Sequence, residues 1–179
     1  LAGTDFEKKL KETDGSPFWV GFHNDLDKNN SATKNTDAVS KKYASSLIRA
    51  LKSTVSGGVA AYLVVDIKNA FINDFLTGIT KKLPPGSELH LVTSDTRDLS
   101  SVDPNAEKNE KGLLANQTFY TKFKDSEETS GSDTVSFNGQ QYLASYTKIA
   151  GMDYILIGLI PLKALKASSN SWANRVRLM

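Results

Sequence analysis

The feature that most constrains this chain is its last apolar run, Tyr154 to Leu162, broken only by Pro161 near its end. A membrane-spanning helix needs about 20 apolar residues, so this run is too short to span. It is apolar at successive positions, hence on both faces of a strand, which fits a strand covered on both sides. The strand Tyr154 to Ile160 is therefore expected at the centre of a sheet. Two segments ahead of it complete a meander. Thr134 to Phe137 runs into Asn138-Gly139, the pair that best tolerates the positive φ of a type I′ hairpin. Gln140 to Ile149 returns, and Ala150-Gly151-Met152-Asp153 turns again.

Upstream, Phe18 to His23 reads as a strand, and Val59 to Ile67, dense in β-branched and aromatic residues, reads as another. The spacing predicts a helix over 68–80, with Phe71, Ile72, Phe75, Leu76 and Ile79 as its buried stripe. Tyr43 to Lys52 fits two periods: Leu47, Ile48 and Leu51 suit a helix, while Leu47, Arg49 and Leu51 alternate as in a strand. Leu83-Pro84-Pro85-Gly86 marks a boundary before a strand over 88–94. Residues 1–15 read as a short polar helix, and 24–37, 95–112 and 125–133 as polar loops. Residues 113–123 form an apolar patch, helical or extended. Leu162, Leu165, Ser169, Trp172, Val176 and Met179 are spaced as a heptad seam. That seam reads as the start of an exit helix; the alternative is a terminal helix packed on its own domain.

Composition narrows the function. Of 179 residues, 39% are hydrophobic and 23% charged, enough for a packed core. A net charge of +2 argues against a nucleic-acid partner. Without cysteine there is no disulfide, thiol nucleophile, Cys-ligated zinc or iron–sulfur cluster. The two histidines, His23 and His90, form no paired metal motif, so neither a metal nor another cofactor is expected. Phosphate-binding and dinucleotide-binding glycine loops and a nucleophile elbow are all missing from the sequence. Asp25, Asp27 and Asn29 alternate, but Asn30 and Thr36 stand where a calcium loop requires Gly and Glu. Glu127-Glu128 reads as solvated surface. The domain is therefore expected not to be an enzyme. Leu1 in place of an initiating Met reads as an excised or processed piece.

Four residues are candidates for ligand contact. On strand 59–67, Tyr62, Val64 and Asp66 share one face, while Val59, Ala61, Leu63, Val65 and Ile67 share a wholly apolar one that is expected to pack a core. A phenol and a carboxylate on one face suit a ligand bearing an ammonium group. Asp66 has a second reading, as a cap for the following helix. If strands 18–23 and 59–67 are neighbours, Trp19 joins Tyr62 and Asp66 in one pocket; the other reading of Trp19 is plain core. Arg49 can bind a carboxylate bidentately or simply be a surface residue. Tyr142 and Tyr146 share a strand face with Ala144 and Lys148, and nothing in the sequence supports a second pocket there.

Three passages resemble the Cache family, the PAS-like extracytoplasmic sensor domains of bacterial transmembrane receptors. They are Val59-Ala60-Ala61-Tyr62-Leu63-Val64-Val65-Asp66-Ile67 with its helix, the hairpin Asn138 to Tyr146, and Met152 to Leu162 with its closing proline. Of the amino-acid-binding pattern of double Cache domains only Asp66 matches, and Phe18 precedes Trp19 with no arginine two places before it. The resemblance implies an α+β fold, a PAS-like antiparallel sheet flanked by helices with a C-terminal exit helix. It implies a first PAS-like portion over 1–83, a second over 84–165 with the meander, and an exit helix toward the membrane over 166–179, with an N-terminus shortened relative to the family. The implied function is ligand sensing in a two-component sensor histidine kinase, with a chemotaxis receptor as the alternative. Implied partners are a small-molecule ligand and a second copy through the terminal helices, in a membrane-anchored protein. A surface interaction or adhesion domain without a small ligand is the contrasting reading.

Overall fold

Alternation in the first part of the chain resolves into pairing. The computed structural model describes residues 12–13, 15–21, 43–93, 98–100 and 114–167, and the chain divides into two compact units, Leu1–Asn69 and Ala70–Met179. Most of the helix expected over 1–15, the loop over 24–37, most of 95–112 and the tail beyond 167 lie outside the described residues.

In the first unit, β1 (Phe18–Val20), β2 (Tyr43–Lys52) and β3 (Val59–Lys68) form an antiparallel sheet in that order. Tyr43–Lys52 is thus a strand. Ser46, Ile48 and Ala50 are buried while Arg49 and Leu51 between and beyond them are exposed, a period of two that a helix could not give. The β2–β3 hairpin closes with Ser53 N–H donating to Gly58 O at 2.7 Å. Ser53 Oγ accepts from the N–H groups of Val55 and Ser56, both at 3.2 Å.

Register fixes which face is covered. Phe18, Ile48 and Val64 are in line, as are Val20, Ser46 and Asp66. Phe18, Ile48 and Ala50 form the core here, with Val20 and Val64 packed against them. The opposite face carries Leu63 and Val65, which are 49% and 48% exposed. The apolar face of β3 therefore does not pack the core that its composition implied. β3 is apolar on parts of both faces, and the residues that decide the covered side, Phe18 and Ile48, belong to its neighbours.

Helix α1 (Asn69–Thr80) follows directly. Its buried positions are Asn69, Asn73 and Leu76, with Ile72 and Ile79 half-buried. Phe71 and Phe75 are 64% and 57% exposed, against the expected stripe. The helix is rotated so that two short asparagines, not two rings, face inward; ranking side chains by hydrophobicity alone gives the wrong side.

In the second unit the strands are β4 (Glu88–Val92), β5 (Asp98–Ser100), β6 (Ser130–Phe137), β7 (Gln140–Ile149) and β8 (Tyr154–Pro161). Their order is β5-β4-β8-β7-β6, antiparallel throughout, so β8 is central as expected. Asn138 and Gly139 take φ of 49° and 75°, the positive pair the hairpin needs. Two polar stretches expected as loop are strand. Asp98–Ser100 pairs with β4 and buries Leu99, and Ser130–Asp133 extends the edge strand β6. Neither has the apolar alternation that announces a strand: β5 buries the polar Asp98 and Ser100 beside Leu99, and Ser130–Asp133 is largely exposed. Residues 162–167 are helical.

A 3₁₀ turn, Leu114–Asn116, leads into helix α2 (Thr118–Asp125), whose Phe119, Tyr120 and Phe123 pack on the sheet with Val135, Phe137, Tyr142, Ala144, Tyr146, Ile157 and Leu159. Phe123 stacks on Tyr146, centroids 4.5 Å apart and planes 21° from parallel, and Tyr146 donates to Ser126 Oγ at 2.9 Å. Gly131 lies across from Tyr146, and a Cβ there would stand 2.8 Å from the ring. Held by its stack and its hydroxyl, that ring cannot move aside. Gly131→Ala should lower the unfolding free energy by about 1–3 kcal/mol in urea denaturation; an unchanged midpoint would refute the close approach.

Candidate ligand-binding site

The four candidates from the sequence fall on two faces of the first sheet. Tyr62, opposite Ala50, and Asp66, opposite Ser46, share the face that carries the core cluster. Both are exposed at its margin. The buried Ser46 hydroxyl donates to Asp66 Oδ1, which fixes that carboxylate across the strand pair. β3 runs to Lys68, so the cap position of α1 falls at Lys68 and not at Asp66. Trp19, in line with Leu47 and Val65, and Arg49, opposite Leu63, stand on the other face. Strand β2 lies between β1 and β3, so Trp19 is not beside Tyr62. The structure keeps Tyr62 and Asp66 on one face of β3, with Val64 between them, and places Trp19 and Arg49 on the other.

A second set of charged residues went unrecognised in the sequence. In β4, Glu88 and His90 alternate onto one face, and β5 adds Asp98 to the same face. His90 Nδ1 lies 3.0 Å from both Asp98 carboxylate oxygens, and His90 Nε2 lies 3.2 Å from Glu88 Oε2. Burial alone would push the His90 pKa down. Hydrogen bonds to Asp98 and Glu88, with the charges of both, outweigh burial and push it up to about 9. His90 is therefore an imidazolium at neutral pH that donates from both nitrogens. Its two nitrogens point in different directions to different carboxylates, so the three groups do not converge on a metal; among the described residues no such cluster does. The signal was Glu88-x-His90 at strand spacing. Its partner Asp98 lies in a stretch whose polar composition reads as loop.

Two tyrosines flank this cluster. Burial, then the charges of Asp98 and Asp125, push the Tyr120 pKa up, while burial and then the charge of Glu88 do so for Tyr142. Between α2 and the sheet the space is filled by the rings of Phe119, Phe123 and Phe137. One open groove lies at the sheet's end, about 650 Å³ in volume and lined by Pro84, Pro85, Glu88, Tyr142, Pro161 and Lys163, among others. Gly86, at φ 78°, lets the turn approach Pro161, whose Cγ would lie 3.3 Å from any Cβ there.

No protein-family model matches the sequence, and no curated protein does. Solved structures do. The extracellular domain of mmHK1S-Z3, a protein assigned as a histidine kinase, superposes with a TM-score of 0.68 over 94% of this chain, at 12% identity. The fold is Cache-like. The ligand-binding domain of the Campylobacter jejuni chemoreceptor Tlp3, solved with 4-methylisoleucine, superposes with a TM-score of 0.59 at 13% identity over 90% of the chain. A further extracellular domain assigned to a histidine kinase, rpHK1S-Z16, gives 0.56 at 17% identity over 87%. The chain spans 57%, 54% and 57% of those three structures respectively. The α+β class and the antiparallel PAS-like sheet implied by the resemblance are those of the structure.

Proposed function

We propose that this chain is an extracytoplasmic ligand-sensing domain of a bacterial transmembrane signalling receptor, a two-component sensor histidine kinase in the first reading. The observation that carries this is the superposition on the extracellular domain of mmHK1S-Z3 over nearly the whole chain. The match to Tlp3 supports a chemoreceptor as the second reading, and the domain itself would be the same in both. It binds rather than catalyses; any kinase activity belongs to another part of the full-length protein. The ligand is a small molecule held at the Tyr62–Asp66 face, with Asp66 as the charged group that Ser46 orients. Trp19 and Arg49 face away and would serve a contact on the reverse of the sheet. Ligand binding shifts the balance between two arrangements of the terminal segments to the extent that it favours one of them.

A thermal-shift screen with amino acids, organic acids, amines and sugars tests this. A ligand that binds the folded state at one hundred times its Kd stabilises it by about 2.7 kcal/mol. The shift should disappear in Asp66→Asn and weaken in Tyr62→Phe while the ligand-free melt stays in place. A hit equally strong in both variants would move the site elsewhere, and no hit in any class would favour an adhesion surface over a sensor.

A further inference from the structure

We propose that the groove at the end of the second sheet, between the Pro84–Gly86 turn and Pro161, binds a small organic ammonium ion, anchored by the Glu88 carboxylate. The proposal concerns the second unit alone and does not rest on the Tyr62–Asp66 reading. Its starting point is an imbalance of charge. One imidazolium, His90, sits between two carboxylates, Asp98 and Glu88, which leaves one negative charge over. That charge is displayed at the groove. Asp98 is buried and gives both oxygens to His90, whereas the Glu88 side chain is 21% exposed and gives one. Glu88 lines the groove, and among the described residues its Oε1 makes no hydrogen bond. His90 locks Oε2, so the free oxygen is held in place and not left to swing in water.

The rest of the lining suits the body of such a ligand. Tyr142 stands opposite Pro161 on β8, two residues along from Leu159, the partner of Glu88. Its ring and the carboxylate therefore meet at one end of the sheet, and an ammonium at Glu88 would lie against an electron-rich face. Pro84, Pro85 and Pro161 supply rigid apolar walls. A groove of about 650 Å³ has the size of ordinary small-molecule sites. Lys163 lies on the exposed rim and makes no ion pair with Glu88. It leaves the anchor available and disfavours a second positive charge on the ligand. The ligand class is thus a monoammonium ion with an apolar body.

The test titrates the full chain with phenethylammonium, its neutral counterpart 2-phenylethanol and the anion 3-phenylpropionate by calorimetry at neutral pH. Phenethylammonium should bind at least about tenfold more tightly than either, as a charge-assisted hydrogen bond provides. Glu88→Gln keeps an oxygen for His90 and should remove most of that preference. Ala164 also lines the groove; Ala164→Leu narrows it without touching the charged cluster and should weaken binding even if Glu88→Gln fails to fold. In Asp66→Asn the part of the binding that Glu88→Gln removes should persist, which separates it from the site on the first sheet. Equal affinity for the ammonium and the alcohol would overturn the proposal. So would binding that survives Ala164→Leu, or no binding at millimolar probe.

Discussion

Phe123→Ala should lower the unfolding free energy of the second unit by about 3–5 kcal/mol, among the largest effects of any single truncation here. The ring is 2% exposed and is the link between two parts of the core. It stacks on Tyr146 at 4.5 Å on one side and lies 5.7 Å from Phe119 on the other, and Phe119 continues edge-on to Phe137 at 6.3 Å. Removing it opens a cavity that cannot collapse, because Tyr146 is held by Ser126 and by the close approach of Gly131. Phe123 also anchors α2, an eight-residue helix too short to persist alone. Its loss should therefore release the helix as well as the ring. Urea denaturation followed by far-UV circular dichroism reads both, and a loss below about 1 kcal/mol would mean that the ring is not part of a packed core.

What the sequence made legible follows from where the information lies. The central strand could be read from Tyr154–Ile160 because a strand covered on both faces is apolar at every position, and only the middle of a sheet allows that. The hairpin could be read from Asn138-Gly139, since positive φ at two successive residues selects those side chains. By contrast, Asp98–Ser100 and Ser130–Asp133 are strands by pairing and not by composition. A backbone ladder at a sheet edge needs a partner, and the partner is distant in sequence. The same limit hid the charged cluster: Glu88 and His90 are two residues apart, yet their meaning depends on Asp98, brought in by an edge strand. It also explains Trp19. Alternation within β1 and β3 says which residues share a face of each strand, but placing Trp19 opposite Tyr62's face required the register of β2 between them.

The cluster carries its own pH signature. The folded-state pKa of His90, about 9, lies above the 6.5 of an unperturbed histidine. Between those values the folded protein holds a proton that the unfolded chain has released, so stability falls as pH rises. The contribution is complete below pH 6.5 and is lost as pH passes 9. It amounts to roughly 3 kcal/mol, at about 1.4 kcal/mol for each unit of pH. Tyr120 and Tyr142, the neighbouring groups, are both pushed above 10 and stay neutral across that window. The melting temperature should therefore drop by roughly 5–10 °C from neutral pH to beyond 9. In His90→Gln the protein starts less stable, with the buried Asp98 and the half-buried Glu88 left without the cation between them, and the slope in that window should vanish. Asp98→Ala removes the deeper carboxylate and should cost about 3–5 kcal/mol at neutral pH, the scale for breaking a buried pair. It should also bring the His90 pKa down, so that the fall in stability ends at lower pH and is smaller in total. A melting temperature that is flat from neutral pH to beyond 9 in the unmodified chain would show that His90 is not held as an imidazolium between Asp98 and Glu88.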